Sequence, residues 1–591
     1  MIESIQDHAS TAGSGDPHVQ YEYDYGLSGN AASHARLKKV TYPGGGSGGR
    51  AVQYKYGTTD GIDDRLSRVY EITNSAGTTT FARYTYLGAS TAVKVEHPDV
   101  TNDGLTLNYD VDGDRKYSGF DRLGRVVDQK WMAGATIKDR FGYDYDMNSN
   151  RTYRQLAPGI TGRPTTKDEH YVYDGLNRLT KAQRGTATGS PGAYTGFGSE
   201  SFTQAFTLDA VGNWSEFKVD DNGAGGEGNW ELEQTRAHND VNEIDTDNVH
   251  GDDDDAITGS PNWEDPKYDA AGNATNVPRP SSPTTKLGCL YDAWNRVVSV
   301  FQPFSSVGLK FRYDGLHRRI AKLNFDWGGH WDRTDYYHTV SWQVIEECFA
   351  ADQEDQDTVA TDPKYQYVWD IRYIDAAVLR DENTDTDGDC DDERLYYTHD
   401  AQFNVTALVN TGDGTIAERY VYDPYGKVTI YNPTWSATVD WDDSEHNEIL
   451  YCGYRYDHES RLYHVRYRMY HPTLGRWLQR DSAEYVDGMS LCEYLRGDPV
   501  GRVDPTGLQA ETIGPPPAPE DRLFPPLPTD PWEFSDESRI RMQLGDTTHG
   551  YAAMTFETAK REAKSALEEK LKGGSTCLLC PGVETNPDPA S

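Results

Sequence analysis

A short motif recurs along most of the chain and constrains what the chain can fold into. Each copy has an aromatic or apolar residue followed by Asp, two or three variable residues, Gly or Asn, often Arg, and then an apolar run. Most successive Asp positions lie 22 to 35 residues apart, a spacing typical of one supersecondary unit per repeat, and longer gaps separate Asp209 from Asp269 and Asp314 from Asp423. Copies occur at Phe120-Asp121, Tyr145-Asp146, Tyr173-Asp174, Leu208-Asp209, Tyr268-Asp269, Tyr291-Asp292, Tyr313-Asp314 and Tyr422-Asp423. The chain is therefore a serial array of similar units.

The residue types of the motif predict a β-hairpin. Asp caps a turn by accepting backbone N–H groups, Gly or Asn takes the positive φ of a tight turn, and flanking alternation such as ARYTYL fits a half-buried strand. One hairpin is marginally stable, so neighbouring units must pair edge to edge. The 40 Tyr and 56 Gly agree with strands joined by turns. We predict an all-β fold, with unrelated hairpins in a β-sandwich as the alternative.

Charge and hydropathy exclude two classes of protein. The net charge of −38 argues against binding to a nucleic-acid backbone, which requires clustered Lys and Arg. The N-terminus lacks the basic segment and apolar run of a signal peptide, and no run of about 18 apolar residues occurs that could form a transmembrane segment. We expect no nucleic-acid binding by the repeats and no transmembrane segment.

Residues 451 to 508 form a dense, ordered set of aromatic, Arg and Asp residues. The segments GYRYD, RLYHVRYRMYHPTLGRWLQRD and DPTGL follow one another in this stretch. Their order resembles the RHS-repeat-associated core domain of the Rhs and YD-repeat family, which includes polymorphic-toxin Rhs proteins and the Tc toxin C component. The resemblance implies that hairpins over residues 20–440 form a curved or spiralling β-sheet, a partial shell. The core would occupy residues 441–508 and plug the end of the shell.

Many members of this family cut themselves loose from a C-terminal cargo, and the resemblance places that reaction here. It implies that Arg480 and Asp481 supply a cation and the first carboxylate of an aspartyl mechanism, and that the cut follows Leu508, in the bond to Gln509. Two carboxyls that share a proton can act as base and acid. For the second carboxyl we favour Asp487, with Glu493 and Asp504 as alternatives. Each of these could instead cap a turn.

Partners follow from the size of the sheet. About 30 strands at the usual spacing make one open turn of wall that could surround a small cargo without sealing it. We therefore expect an N-terminal Rhs portion or a shell-closing protein as partner. The protein would be bacterial, and secreted or placed on the cell surface by a specialised route. The alternatives are a noncatalytic YD-repeat surface protein that binds carbohydrate or neighbouring cells, and an inactive remnant of a larger Rhs locus.

The two ends of the chain differ in composition from the repeats. Residues 1–19 are predicted to be disordered. Residues 509–591 form a variable tail with a Pro-rich linker over 509–531 and an amphipathic helix over about 555–572. The tail contains no recognisable catalytic constellation.

An acidic insertion at residues 381–393, DENTDTDGDCDDE, predicts a calcium site. Oxygen-bearing side chains alternate there as in a calcium loop, with Gly388 where the chain must turn. The alternative is a solvated acidic loop. The predicted ligands are Asn383, Asp385, Asp387, Asp389 and Asp391.

Overall fold

The computed structural model describes most of the chain up to residue 512. The described residues are 2–4, 18–24, 36–43 and 50–512, without 102, 114–115, 157, 159, 161–162, 224–229, 246–254, 304–307, 326–328 and 386. The Pro-rich linker from residue 513 onward and the helix predicted at 555–572 lie outside the described residues. Within these residues no helix is long and apolar enough to cross a membrane.

Hairpins pair serially into two large antiparallel sheets, in which each strand pairs with the next along the chain. The first sheet contains β1 (Ile2–Ser4), β2 (Val19–Asp24), β3 (Arg36–Thr41), β4 (Ala51–Lys55), β5 (Glu71–Asn74), β6 (Thr80–Leu87), β7 (Thr91–His97), β8 (Leu105–Asn108), β9 (Asp128–Ala133), β10 (Thr136–Tyr145), β11 (Arg151–Leu156), β12 (Asp168–Tyr173), β13 (Leu179–Ser190), β14 (Ala193–Leu208), β15 (Trp214–Asp220), β16 (Leu232–Arg236) and β17 (Ile257–Ser260). Strand β1 lies inside the segment 1–19 for which we predicted disorder.

The second sheet continues the same pattern. It contains β18 (Lys267–Tyr268), β19 (Ala274–Arg279), β20 (Ser282–Tyr291), β21 (Val297–Phe301), β22 (Gly308–Tyr313), β23 (Arg319–Phe325), β24 (Trp331–His338), β25 (Val344–Gln353), β26 (Pro363–Trp369), β27 (Ala377–Glu382), β28 (Glu393–His399), β29 (Val405–Asn410), β30 (Ile416–Tyr422) and β31 (Val428–Tyr431). The all-β prediction and the serial pairing of hairpins are confirmed. We call the two sheets together the wall.

Shorter elements complete the described chain. One helical turn, α1 (Ile62–Arg65), follows β4, and 3-10 turns cover Thr165–Lys167, Trp441–Asp443, Tyr451–Gly453, Glu484–Val486 and Leu495–Gly497. A small sheet holds β32 (Arg455–Asp457), β33 (Leu462–Val465), β34 (Arg468–His471) and β35 (Arg476–Trp477), and a final hairpin pairs β36 (Arg502–Val503) with β37 (Glu511–Thr512). We call residues 449–512 the core segment.

The repeated Asp caps most of the turns as the sequence predicts, whereas the carboxyl of Asp423 contacts Gln204 and Arg184. Asp174 Oδ1 accepts hydrogen bonds from the backbone nitrogens of Leu176 and Arg178, at 2.9 and 3.0 Å, and Asp174 Oδ2 accepts one from Arg178 Nε at 2.8 Å. The residue between them, Asn177, has a φ of +64°, the conformation that Asn and Gly tolerate best. The same two backbone bonds recur at Asp121, Asp146, Asp209, Asp269, Asp292, Asp314 and Asp400.

The repeated Tyr links each unit to the one before it. The Tyr173 hydroxyl donates to the backbone oxygen of Arg151, 2.7 Å away in the preceding repeat. Side chains also join successive turns, since Arg178 Nη1 donates to the oxygen of Asp209 at 2.6 Å. The Tyr bond recurs at Tyr56, Tyr86, Tyr145, Tyr291, Tyr313 and Tyr422. The turns therefore lie side by side along one edge of the wall.

The wall is interrupted once, where we predicted a single continuous sheet. Strands β17 and β18 do not pair, and the Ile257 nitrogen donates to the side chain of Asp265 at 2.6 Å instead of to a neighbouring strand. Pro261 and Pro266 lie in this connection and lack the N–H that a ladder requires. The interruption falls in the Asp-rich insertion at residues 243–265.

The core segment packs on the edge formed by the turns. Trp477, Tyr463 and Tyr470 are fully buried in one apolar cluster that also contains wall residues. The hydroxyls of Tyr463 and Tyr470 donate to the backbone oxygens of Gly426 and Tyr425, each at 2.8 Å, in one turn of the wall. The wall thereby fixes the position of the strands that carry the candidate site.

Candidate functional site

The predicted cleavage bond lies in a tight loop whose two ends are tied together. Strands β36 and β37 pair through Val503 and Glu511, and residues 504–510 form the loop between them. Leu508 is half-buried and Gln509 is exposed, so the bond between these two residues lies at the edge of the solvent. The loop presents this bond in one fixed conformation.

Asp504 organises the loop from its first position. Its Oδ1 accepts hydrogen bonds from the backbone nitrogens of Gly507, Leu508 and Gln509, at 2.7, 3.0 and 3.1 Å. Its own nitrogen donates to the Tyr454 hydroxyl at 2.8 Å. One carboxyl oxygen therefore contacts the nitrogen on each side of Leu508, including the nitrogen that leaves when the bond to Gln509 breaks.

Gly507 is required by the path of the loop. Its φ is +76°, and a Cβ added there would lie 2.5 Å from the backbone oxygen of Val465. An L side chain would meet both an unfavourable backbone conformation and a clash with the main chain of β33. This explains the Gly of the DPTGL motif.

Arg468, the first residue of β34, joins the two halves of the site. Its Nη2 lies 2.8 Å from Asp481 Oδ2 and 3.6 Å from Asp504 Oδ2. Its Nη1 donates to the oxygen of Leu491 at 3.2 Å, and its Nε donates to the oxygen of Gly507. A single guanidinium thus holds two carboxyls and the backbone of the loop in one arrangement.

Burial changes the proton affinity of both carboxyls. Burial raises the pKa of Asp481 to about 6, opposed by Arg468 and increased further by the nearby carboxyls of Asp504 and Asp487. Burial also raises the pKa of Asp504, opposed by Arg468 and by the N–H groups of Gln509 and Leu508. Asp481 and Asp504 are 6% and 1% exposed, so water solvates the charge of either carboxylate only weakly. Each carboxyl therefore binds a proton more readily than an exposed Asp does.

Asp487 contacts the loop at a different point. Its Oδ2 accepts a hydrogen bond from the nitrogen of Ala510 at 2.9 Å, and Arg496 Nη2 lies 2.8 Å from its Oδ1. Asp487 therefore contacts Ala510, the second residue after the predicted bond. Asp504, the alternative to Asp487, is the carboxyl that shares a guanidinium with Asp481.

The remaining predicted residues face the wall. Arg480 Nη2 lies 2.6 Å from Glu243, a buried wall carboxylate, and is not the cation that contacts Asp481. Glu493 lies against the turn at Gly212, where a Cβ would be 2.0 Å from its Oε1. The contact of Arg468 with Asp481 was not predicted from the sequence. Arg468 stood among several alternating arginines, and no spacing set it apart from Arg466 or Arg476.

The acidic insertion contains a chain of self-capped turns. The nitrogen of Asp387 donates to Asp385 Oδ1 and the nitrogen of Asp389 donates to Asp387 Oδ1, both at 3.2 Å. Asn383 is buried, whereas the carboxyls of residues 385, 387 and 389 are exposed. Among the residues the structure describes, no three His, Cys, Asp or Glu side chains converge on a point. Calcium binding by this insertion stays a prediction, as does carbohydrate binding by the wall.

Known proteins resemble parts of this chain. No protein-family model matches it. Toxin subunit YenC2 of Yersinia entomophaga is 27% identical over 205 residues, which are 34% of this chain and 19% of YenC2. Double-stranded DNA deaminase toxin A of Burkholderia cenocepacia is 27% identical over 267 residues, which are 43% of this chain and 18% of that toxin. The matched regions therefore span less than a fifth of these relatives' own length.

Solved structures share the fold over a larger part of the chain. The Tc holotoxin pore of Photorhabdus luminescens with a mutated TccC3 matches 84% of this chain with a TM-score of 0.60 and 17% identity, and 21% of that chain is covered. The TcdB2-TccC3 crystal structure matches 80% of this chain with a TM-score of 0.58 and 17% identity, again over 21% of that chain. At this identity the likeness shows a common fold.

Proposed function

We propose that this chain, which belongs to the Rhs and YD-repeat family, cuts its own backbone between Leu508 and Gln509 and so separates its C-terminal segment from the wall. One observation supports this most directly. Asp504 contacts the nitrogen of Gln509 with one carboxyl oxygen, and its other oxygen shares Arg468 with Asp481. Asp504 thus contacts the predicted bond directly, and Arg468 links it to Asp481.

The reaction is an aspartyl hydrolysis with one water consumed. Asp481 in its ionised form takes a proton from the water, whose oxygen adds to the carbonyl carbon of Leu508. Asp504 carries its proton on Oδ2, because Oδ1 accepts three backbone N–H groups, and it gives this proton to the lone pair of the Gln509 nitrogen as the carbon–nitrogen bond breaks. The products are a carboxyl terminus at Leu508 and an amino terminus at Gln509. Arg468 stabilises the ionised carboxyl and keeps the two groups together.

Asp487 acts as a positioning residue in this scheme. It holds the nitrogen of Ala510, and Arg496 holds Asp487 in turn. Together with the pairing of β36 and β37, this contact fixes the chain on the leaving side of the bond. A fixed substrate lowers the entropic part of the barrier.

The segment that is released would be a cargo carried by the wall. The relatives YenC2 and deaminase toxin A are toxins by name, and this chain matches part of each. We propose that the wall presents or partly encloses the segment after residue 508. A second, shell-closing protein would complete the enclosure, and the similar TccC3 was solved together with another protein, TcdB2. Export or surface placement of the assembly belongs to the same proposal.

Purification of the full-length chain tests the proposal. We expect two fragments on a denaturing gel, and mass spectrometry should identify Gln509 as the first residue of the smaller one. Asp481→Asn and Asp504→Asn should leave the chain intact. Asp174→Asn, which alters a turn of the wall outside the site, is the matched control and should be cut like the wild type.

Two results would contradict the proposal. A wild-type chain that stays intact after folding, as judged by its circular dichroism, would remove self-cleavage and favour the noncatalytic alternative, which glycan binding would then support. A fragment that still appears in Asp481→Asn would assign the cut to another protease.

A further inference from the structure

A small cavity lies between the wall and the core segment, among residues that the proposed cleavage does not use. Its volume is about 20 Å³, and its lining includes Arg236 at the end of β16, Arg476 at the start of β35, and Ser490. A cavity of this size holds one water-sized or halide-sized particle.

Two buried cations line this cavity without an ion-pair partner. Arg236 and Arg476 are 5% and 8% exposed. In the described part of the chain, neither guanidinium has a carboxylate within ion-pair distance, whereas the buried Arg319, Arg333 and Arg380 each have one. Burial, with a contribution from Arg476, lowers the pKa of Arg236 to about 9. An uncompensated buried charge is costly, so a counter-ion would stabilise this region.

Unpartnered hydrogen-bond donors accompany the two charges. Arg236 Nε, Arg476 Nε and the hydroxyl of Ser490 are buried and have no hydrogen-bond partner among the residues that the structure describes. The rings of Trp214 and Phe217 lie 4.8 and 5.2 Å from the Arg236 guanidinium carbon and cover its faces. The ring faces attract the positive charge of the guanidinium. They do not accept a hydrogen bond from its Nε–H group, because that group lies in the guanidinium plane and the rings lie over its faces. The cavity thus offers donors and positive charge to whatever occupies it.

The other ionisable groups near the cavity compensate the two cations only in part. Against the effect of burial, Tyr268, Cys492 and Glu243 raise the pKa of Arg476, so the lack of compensation is greatest at Arg236. Burial, together with Arg476 and Arg236, lowers the pKa of His238 to about 3, so this ring is neutral at pH 7. Burial raises the pKa of Glu493 to about 7, and the cations that oppose this rise are Arg178 and Arg496. The cations that act on Glu493 are therefore Arg178 and Arg496 and not the two arginines of the cavity.

We propose that this cavity binds a single halide-sized anion, chloride under physiological conditions, between Arg236, Arg476 and Ser490. A water molecule could accept two hydrogen bonds there but would bring no negative charge to Arg236, whose pKa burial lowers. The anion would join β16 of the wall to β35 and the turn at Ser490 in the core segment. It would act as a structural ion that holds the core segment on the wall, independently of self-cleavage.

Thermal unfolding in different salts tests this site. The Tm of the wild-type chain should rise in sodium chloride and sodium bromide relative to sodium gluconate at equal ionic strength, and the rise should saturate with halide concentration. In Arg236→Met, which keeps an apolar side chain against the rings and removes the charge, the halide-specific rise should disappear. Arg333→Met, which alters a buried arginine paired with Asp335, should keep it.

A bromide-soaked crystal gives an independent measurement. An anomalous peak between Arg236 and Arg476 is expected in the wild type. If Arg236→Met fails to fold, Ser490→Ala takes its place, and its halide concentration for half-saturation should rise. Equal wild-type Tm values in all three salts, or bromide density that leaves this cavity empty, would overturn the proposal and assign the cavity to water.

Discussion

The backbone nitrogen of Gln509 donates a hydrogen bond to Asp504 Oδ1 over 3.1 Å. The backbone nitrogen of Leu508 donates to the same oxygen. One carboxyl oxygen therefore contacts the backbone nitrogens of both residues that flank the bond predicted to be cut. The carboxyl that caps the loop is therefore also the carboxyl in reach of the leaving nitrogen. Asp504 caps the loop, and in the proposed reaction the same residue also acts as the acid.

Asn substitutions should distinguish Asp504 from Asp487. Asp504→Asn keeps an oxygen that can cap the loop but cannot give up a proton as an acid, so cleavage should slow by at least about 100-fold. Asp487→Asn weakens a contact to Ala510 and should slow cleavage by less than about tenfold. The time course of fragment appearance after cell-free synthesis measures both. The reverse order of effects would make Asp487 the second carboxyl.

The two arginines should also behave differently. Arg468→Gln removes the cation shared by Asp481 and Asp504, so cleavage should be lost, with a cost of several kcal/mol in stability because a buried charge pair is broken. Arg480→Gln removes an ion pair with Glu243 and should leave the chemical step unchanged in a chain that still folds. Fragment yield, with urea unfolding as the control for folding, decides between them. Loss of cleavage in a folded Arg480→Gln chain would restore that residue to the site.

Cleavage should depend on pH through Asp481. Burial raises its pKa to about 6, and the proposed base must be ionised. The rate should therefore fall about tenfold per pH unit as the pH drops below this value. The proposed acid must be protonated, so the rate should also fall where Asp504, whose pKa burial raises, loses its proton. A rate that stays constant through pH 6 would show that Asp481 is not the base.

Gly507→Ala should damage the loop. The added Cβ meets a φ of +76° and lies 2.5 Å from the oxygen of Val465, so we expect a loss of about 1 to 3 kcal/mol in the free energy of unfolding. Cleavage should slow as well, since Leu508 moves relative to the carboxyls. Gly175→Ala is the matched control, because no atom lies within 4 Å of its added Cβ. Equal unfolding curves for the two variants would contradict this reading of the motif.

Tyr173→Phe should weaken the link between two repeats. The hydroxyl donates to the oxygen of Arg151 at 2.7 Å, so its removal should cost about 1 kcal/mol. Tyr173→Ala also removes ring contacts and should cost up to about 3 kcal/mol. Chemical denaturation measures both changes. If the Phe variant is as stable as the wild type, the hydroxyl bond does not contribute to the pairing of repeats.

Local patterns predicted most of the wall. The Asp, Gly and Asn positions fixed the turns, since their side chains and backbone preferences act within five residues. The Tyr bond to the preceding repeat was not predicted, because it joins residues about one repeat apart, as Tyr173 and Arg151 are. The interruption between β17 and β18 was also missed, although the prolines at 261 and 266 could have indicated it.

The sequence by itself determined that the chain is an array of Tyr-Asp hairpins with a core segment ending in DPTGL, and it marked Asp481 and the bond after Leu508. Only the tertiary structure decided which groups meet there. The strand with Arg468, the turn with Asp481 and the loop with Asp504 come together because the core segment packs on the wall. The same packing directs Arg480 toward Glu243 and away from Asp481. The physical reason is that turn chemistry is local in the chain, whereas the pairing of buried charges depends on how distant segments pack.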